Sequence, residues 1–383
     1  MADRSYRRRT ILAGLGGLVA GCSGQSSETT AAPTSTETEI ESESSPSTST
    51  ETSTATTRTT EEPVSVREWP DSYYQGPMVS AHEHMNGPDG YEVAKDDLSG
   101  LIEWMDRNRV EQVMAIAGDY LMEDVVEYDD RLVPFAFGYA SLRNQFDNLA
   151  AAFRERLEEF PAYDGIGEIG LKGQLTPAGE PPVPADHPQM MELYGLAAEE
   201  DVPVMLHTVA PWRYEGAESD WDDPSEYPPF QQLDRAMAQH RETDFLIHAS
   251  YQWNGIPDGQ LVAKKLKQHP NLYYDISPTG PTLMWGHGSF TEEEFKSEMG
   301  ENGIKSEIQR HYNNYAEILE NHSERVLWGM DASNEWHYED WALNTFLDIA
   351  RGILGRLPEE NARNIGYRTA AELFDISVSG QPN

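Results

Sequence analysis

Short apolar segments alternate with amphipathic segments from residue 77 almost to the end of the chain, and this alternation restricts the possible folds more than any other feature. Most segments between and after the apolar ones repeat apolar residues every three or four positions, which predicts helices over residues 98–108, 148–160, 190–200, 233–240, 261–269, 308–322, 341–354 and 357–374. Strands that alternate with helices are parallel and buried on both faces. The apolar segments that predict strands are 77–82, 111–118, 132–140, 164–173, 202–207, 244–250, 271–277 and 325–331.

Eight such units predict an α/β protein with a (β/α)8 TIM barrel. No Gly-rich phosphate loop follows the first predicted strand, which argues against a dinucleotide-binding sheet. The barrel domain is expected to span residues 64–383.

The first 22 residues have the features of an export signal. Arg8 and Arg9 precede a short apolar run that ends in LVAGC, with the single cysteine of the chain, Cys22, at its last position. This segment resembles a twin-arginine signal with a lipoprotein cleavage box, and the run is too short to span a bilayer. We therefore expect lipidation of Cys22 and a lipid-anchored location on the outer face of the cell membrane. A free N-terminal tail is the alternative.

Residues 23–63 are mostly Ser, Thr and Glu, with almost no apolar side chain. A segment of this composition cannot bury enough apolar surface to offset the entropy lost on folding, which predicts a disordered stalk. With one cysteine in the chain, an intrachain disulfide and a thiolate metal site are both excluded.

The chain is strongly acidic: 28 Lys and Arg residues against 66 Asp and Glu residues give a formal net charge of −38. Such a surface repels nucleic acid and anionic lipid, which argues against both as partners. A small-molecule substrate is the partner that we expect. The same charge is typical of a halophilic protein, because molar salt screens the self-repulsion. The charge therefore says little about the ligand, and the oligomeric state is not indicated.

Histidines and carboxylates stand at the carboxyl ends of five predicted strands. In a barrel these ends meet at one rim, where enzymes of this architecture have their active sites. Imidazoles and carboxylates without sulfur ligands suit Zn²⁺, with Mn²⁺ or Fe²⁺ as alternatives. Asp331 alone could be a helix cap, and GIGEIG alone a closely packed strand. Their joint placement predicts a centre with one or two metal ions, bound by His82, His84, Glu168, His207, His248 and Asp331.

The order of these residues resembles the amidohydrolase superfamily, over residues 77–377. The metal site of that superfamily has His-x-His on strand 1, Lys or Glu on strand 4, His on strands 5 and 6, and Asp on strand 8. The segments VPVMLH, HPNLYYDIS, VLWGMD and NARNIGYRTAAELF look most like its amidohydrolase-related branch. GIGEIGL looks like strand 4 of TatD-type metal-dependent hydrolases.

This resemblance implies a hydrolase that cleaves an ester, lactone or amide bond with a metal-activated water. Asp331 would accept the proton of the water, and His248 would bind a metal or orient the carbonyl oxygen. With a single ion, His82, His84, His207 and Asp331 would be the ligands, which leaves His248 as an acid or base. A decarboxylase or lyase on the same site and a non-catalytic binding lipoprotein stay open as alternatives.

Two long loops, residues 209–229 and 278–303, follow strands 5 and 7 and are rich in Trp, Tyr and Pro. Loops at this rim commonly form the wall of a pocket. Arg213 would pair with an anionic group of the substrate, or with the acidic protein surface. The residues that we expect to contact substrate are Lys172, Trp212, Arg213, Tyr274, His287 and His337.

Overall fold

Eight parallel strands, hydrogen-bonded in chain order, form the central sheet. Each overlaps a segment predicted from the sequence, and together with the helices they confirm the predicted (β/α)8 barrel. The strands are β1 (Met78–His84), β2 (Val110–Ala117), β3 (Leu132–Ala136), β4 (Ile166–Gly170), β5 (Val204–His207), β6 (Phe245–His248), β7 (Leu272–Asp275) and β8 (Val326–Leu327).

The computed structural model describes residues 65–85, 93, 98–137, 146–171, 183–207, 228–248, 252–253, 256–277, 291–299 and 303–378. The predicted export signal and stalk lie outside the described residues. In the part of the chain that is described, no helix has both the length and the apolar character needed to cross a membrane.

The helices follow the strands in alternation. Two of them, α2 and α7, were not predicted, and α7 lies inside the segment that we expected to be a loop after β7. The helices are α1 (Leu98–Asn108), α2 (Asp119–Tyr128), α3 (Leu149–Glu159), α4 (Pro188–Glu200), α5 (Pro228–Gln239), α6 (Gly259–Gln268), α7 (Glu292–Met299), α8 (Gly303–Asn321), α9 (Asp340–Leu354), α10 (Glu359–Arg363) and α11 (Thr369–Leu373).

The barrel closes between its first and last strands through backbone hydrogen bonds. β8 pairs with β7 through two residues, and the chain then continues alongside β1. The N–H of Asp331 donates to the carbonyl of His82 (2.9 Å), and the N–H of His84 donates to the carbonyl of Ala332 (3.0 Å). These bonds hold Asp331 beside the two histidines of β1.

The inside of the barrel and the layer between strands and helices form two separate apolar clusters. Successive side chains of a strand alternate between them, as the pleat requires. The last helical segments pack against the inner cluster, where the ring of Phe374 meets Phe135 edge-to-face with centroids 5.5 Å apart. The strand residues of the inner cluster are Val79, Ala81, Met114, Ile116, Val133, Phe135, Met205, Leu246 and Leu327.

A buried arginine on α9 forms hydrogen bonds with the segment that precedes β1 and with the end of α1. The guanidinium of Arg351 donates to the carbonyls of Tyr74 (2.8 Å), Gly76 (2.9 Å) and Asn108 (2.8 Å). It also lies 4.0 Å from the ring centroid of Trp69. Because the side chain of Arg351 is fully buried, water cannot take its place as a hydrogen-bond donor to these carbonyls.

The Arg351→Met variant is expected to lower the free energy of unfolding by about 3 kcal/mol, because it keeps most of the side-chain volume but leaves buried carbonyls without donors. Urea unfolding at constant salt would measure this loss. The matched control is Arg107→Met, which removes an exposed ion pair with Asp340 and should change the free energy by less than about 0.5 kcal/mol. Equal losses in the two variants would contradict the anchoring role of Arg351.

Candidate metal centre

A β-bulge in β1 turns His82 into the barrel. Ala81 belongs to the inner cluster, so regular alternation would place the next side chain outside. The ladder with β2 shows one extra residue in β1, because residues 80 and 83 pair with residues 113 and 115. The extra residue allows Ala81 and His82 to share one face, and His84 follows on that face. Both imidazoles therefore point to the interior.

A second bulge does the same for Glu168 in β4. Residues 166 and 169 pair with residues 204 and 206 of β5, so β4 also carries one extra residue. Gly167 has a φ of 128°, and a Cβ there would lie 2.4 Å from the carbonyl oxygen of Met205. Only glycine fits this backbone and this close approach. The bulge brings the carboxylate of Glu168 to the inner face.

The other predicted ligands continue the regular alternation. His207 and His248 each come two residues after a member of the inner cluster, Met205 and Leu246, and the ladder pairs the two histidines directly. Asp331 follows the end of β8, where its φ of 53° lies in the left-handed region. Asp and Asn are among the few residues other than Gly that adopt this conformation readily.

His82, His84 and Asp331 form one group of possible ligand atoms. The Nε2 atoms of the two imidazoles lie 3.1 Å apart. The Oδ1 atom of Asp331 lies 3.5 Å from Nε2 of His82 and 3.4 Å from Nε2 of His84. Three donor atoms, two from β1 and one from the segment after β8, therefore converge on one point.

Glu168, His207 and His248 form a second group. Oε1 of Glu168 contacts Nδ1 of His207, while Oε2 lies 3.5 Å from Nε2 of His84. The Nε2 atom of His248 lies 3.1 Å from Oδ2 of Asp331. The two carboxylates thus connect the two groups, because each has one oxygen facing either group.

The imidazoles keep both carboxylates ionised. Burial alone would raise the pKa of Glu168, but the charge and hydrogen bond of His207 outweigh it, and the pKa lies well below its usual value. Burial likewise acts to raise the pKa of Asp331, and the charges of His248 and His82 hold it well below the ordinary range. The cluster therefore presents anionic oxygens to any ligand.

A third carboxylate, Asp275 at the end of β7, was missed in the sequence analysis. Its Oδ2 atom lies 2.9 Å from Nδ1 of His248 and 3.3 Å from Nδ1 of His82. Burial acts to raise the pKa of Asp275, but the hydrogen bonds from the two histidines lower it to about 2. Burial acts to lower the pKa of His248, but Asp331 and Asp275 outweigh it and raise it to about 10.

Glu83, between the two histidines of β1, lies on the other face of the strand. Its Oε1 atom accepts a hydrogen bond from the hydroxyl of Ser80 (2.7 Å), and its Oε2 atom accepts one from the N–H of Ala332 (3.2 Å). Burial holds the pKa of Glu83 well above its usual value. Glu83 thus ties β1 to the segment after β8 and is not among the possible metal ligands.

The six predicted ligands fit a divalent metal of the zinc class. They offer imidazole nitrogens and carboxylate oxygens, the donors that Zn²⁺ and its neighbours accept. The Oε1 atom of Glu168 is buried and contacts Nδ1 of His207. This contact brings together two metal-donor atoms that a shared cation would satisfy.

Two of the residues predicted to contact substrate have other contacts. Tyr274 is fully buried in the layer outside the sheet, with its ring centroid 6.2 Å from that of Tyr315. The Nδ1 atom of His337 accepts the N–H groups of Ser333 (2.9 Å) and Asn334 (3.3 Å). Burial lowers the pKa of His337 to about 4. The structure therefore does not bring either side chain into the ligand groups. The other predicted contacts lie outside the described residues: Lys172, Trp212, Arg213 and His287.

A family model matches most of the chain. A model of the amidohydrolase family matches residues 67–376. No curated protein matches the chain. A probable 2-pyrone-4,6-dicarboxylic acid hydrolase from Acinetobacter baumannii is 16% identical, with 78% of this chain and 99% of that chain covered and a TM-score of 0.41.

Two other solved structures have similar values. An amidohydrolase from Burkholderia multivorans with bound zinc is 14% identical, with 79% of this chain and 100% of that chain covered and a TM-score of 0.47. A dihydroxybenzoic acid decarboxylase from Polaromonas sp. JS666 with bound manganese is 13% identical, with 79% and 97% covered and a TM-score of 0.43.

Proposed function

This chain belongs to the amidohydrolase family, and from this membership we propose that it is a metal-dependent hydrolase that cleaves an ester, lactone or amide bond of a small molecule. The observation that carries the proposal is the convergence of four imidazoles and two ionised carboxylates from five parts of the barrel. Such a set at the carboxyl ends of the strands is costly to bury unless it binds something.

The two ligand groups would each hold one divalent ion, most simply Zn²⁺, with Mn²⁺ or Fe²⁺ as alternatives. His82, His84 and Asp331 would hold one, and Glu168, His207 and His248 the other. Bound there, the metal supplies Lewis-acid polarisation of a carbonyl and makes water more acidic.

Asp331 is the residue that we assign to proton transfer. Its carboxylate is ionised, and its Oδ2 atom is turned towards His248, away from the histidines of β1. This oxygen can accept a proton from water and deliver it to the leaving group. His248 either holds an ion or exchanges this proton with Asp331, and the number of bound ions distinguishes the two roles.

Metal analysis of the purified protein, combined with a screen of esters, lactones, amides and aromatic carboxylic acids, tests this function. We expect tightly bound zinc-class metal and hydrolysis that disappears with a chelator and returns with metal. Release of carbon dioxide without hydrolysis would identify the protein as a decarboxylase and not a hydrolase. Tight metal binding with ligand binding but no turnover would favour a binding protein. Metal-free protein with full activity would contradict the proposal.

We also propose that the protein is exported by a twin-arginine signal and anchored through a lipid on Cys22. The support is the sequence of the first 22 residues and the polar composition of residues 23–63, which offer no other anchor.

The Cys22→Ala variant is expected to move from the membrane fraction to the medium, because a lipid on this cysteine is the proposed means of attachment. Fractionation of cells that express each protein, followed by immunoblotting, measures the change. A Ser23→Ala variant, next to the lipidation site, is the control and should stay with the membrane. Equal membrane retention of the Cys22→Ala and wild-type proteins would rule out the lipid anchor.

A further inference from the structure

Asp275 contacts two of the predicted metal ligands, His82 and His248, through their Nδ1 atoms. It is the last residue of β7, and its side chain is fully buried. The ladder pairs it with His248, which in turn pairs with His207. Asp275 therefore occupies in β7 the same level that the two histidines occupy in β5 and β6.

We propose that Asp275 is a positioning residue that fixes the Nδ1-protonated form of both His82 and His248 and so directs both Nε2 atoms to the metal centre. This inference rests on the metal centre of the proposed function, and it adds a residue outside the six predicted ligands.

The hydrogen bonds of one carboxylate oxygen carry the argument. Oδ2 of Asp275 receives the hydroxyl of Ser277 at 2.7 Å and faces Nδ1 of His248 at 2.9 Å and Nδ1 of His82 at 3.3 Å. A carboxylate oxygen only accepts, so each ring must donate through Nδ1. In a ring that binds a metal through Nε2, the metal replaces any proton at that nitrogen, so the one remaining proton is on Nδ1, where Asp275 accepts it.

The opposite ends of the same rings lie in the ligand groups. Nε2 of His82 is 3.1 Å from Nε2 of His84, and Nε2 of His248 is 3.1 Å from Oδ2 of Asp331. The two rings are 4.2 Å apart between centroids and inclined at 74°. A single carboxylate thus sets the rotation of two rings that belong to different ligand groups.

Gly329 makes this arrangement possible. A Cβ at position 329 would lie 2.8 Å from Cβ of His82 and 3.1 Å from Oδ2 of Asp275. The first distance is one that real Cβ atoms do not show, so an alanine there would push His82 away from Asp275. Gly329→Ala is therefore a second way to disturb the same contact without changing the carboxylate.

Asp275 could instead be a metal ligand, because its oxygen and the Nδ1 atoms of His82 and His248 also lie close together. Two features favour hydrogen bonds. The distances of 2.9 Å and 3.3 Å are those of N–H donors facing an oxygen, and the same oxygen already accepts from Ser277.

The test is the zinc affinity of the full-length Asp275→Asn variant, measured by competition with a chromophoric chelator. We expect zinc to bind about 10- to 100-fold more weakly than in the wild type, the usual effect of removing a carboxylate behind a metal-bound histidine. Gly329→Ala should weaken it in the same direction. The control is Asp234→Asn, which removes a carboxylate that faces His269 at 3.0 Å outside the barrel and should leave the zinc affinity unchanged.

NMR of isotope-labelled histidine locates the ring protons directly in the wild-type protein. In the zinc-loaded wild type, two of the 11 histidines should carry an Nδ1-bound proton in a hydrogen bond to carboxylate, and Asp275→Asn should alter these two signals. If the Asp275→Asn variant does not fold, the wild-type spectrum and the zinc affinity of Gly329→Ala decide the question.

Three results would overturn the proposal. The first is unchanged zinc affinity in the Asp275→Asn and Gly329→Ala variants. The second is a proton on Nε2 of His82 and His248 in the zinc-loaded wild type. The third is the loss of one zinc ion from Asp275→Asn while the remaining zinc binds with wild-type affinity, which would make Asp275 a ligand. Wild-type protein that binds no metal would instead refute the proposed function. The Nδ1 signals of His82 and His248 in the metal-free protein, and their change in Asp275→Asn, would then still show whether these nitrogens are hydrogen-bonded to Asp275.

Discussion

The Asp331→Asn protein is expected to turn over its substrate about 10²- to 10⁴-fold more slowly than the wild type, because an amide cannot accept the proton that the ionised carboxylate takes. Burial acts to raise the pKa of Asp331, but the interactions with His248 and His82 hold it well below its usual value, so the side chain is ionised at neutral pH. The acid limb of the pH–rate profile, where turnover falls because this carboxylate is protonated, should therefore change in the variant.

The backbone at this position makes Asn the right replacement. Asp331 has a φ of 53°, a conformation that Asn adopts as readily as Asp and that most other residues avoid. Its N–H donates to the carbonyl of His82 whatever the side chain is. The melting temperature should therefore stay close to that of the wild type, and a loss of turnover reports on chemistry.

Asp375→Asn is the matched control for this variant. Asp375 is also in the left-handed region, with a φ of 48°, but it is exposed and follows the last helix. The same substitution on the same type of backbone should leave turnover unchanged. Turnover is measured at saturating metal, since the variant could also bind metal more weakly. Normal turnover of Asp331→Asn, or full recovery with excess metal, would rule out Asp331 as the proton acceptor.

The sequence was sufficient to predict the eight strands, because each buried parallel strand is a short apolar run between polar segments. It was also sufficient for His207 and His248, which continue the alternation of their strands. In these strands a local pattern determines the direction of every side chain, and no information from a neighbouring strand is needed.

The strands with bulges show what the sequence could not determine. His82 and His84 do lie on one face, as their spacing predicts, but alternation from Ala81 would place that face outside the barrel. The extra residue in β1 is defined by its register with β2, and the extra residue in β4 by its register with β5. Register between strands distant in sequence is a tertiary property.

Asp275 could have been found from the sequence. The segments VPVMLH, DFLIH and NLYYD each end an apolar run with one polar residue, and only the first two were interpreted as ligands. The ladder places all three polar residues at one level. The same alternation that turns Asp275 inward turns Tyr274 outward, which explains why this tyrosine packs among the helices.

Removal of one imidazole from either ligand group is expected to lower the metal content from about two ions per chain to about one. His84→Ala changes the first group and His207→Ala the second. Glu168 supports two separate sites, because one of its oxygens faces His207 and the other faces His84. Emission spectrometry of protein dialysed against buffered zinc measures the ion count.

His269→Ala is the control for the loss of a histidine as such. His269 pairs with Asp234 outside the barrel, so this variant should keep the wild-type ion count. If His84→Ala and His207→Ala both lose all metal, the site holds one ion shared by His82, His84, His207 and Asp331, and the two-ion arrangement is wrong.

The ion count also decides the role of His248. With two ions, both of its nitrogens are engaged, Nδ1 by Asp275 and Nε2 by the metal, so Asp331 must carry the proton alone. With one ion, Nε2 of His248 remains 3.1 Å from Oδ2 of Asp331, close enough to exchange a proton with it. His248→Asn would then reduce turnover at full metal content, whereas in the two-ion site it would lower the metal content first.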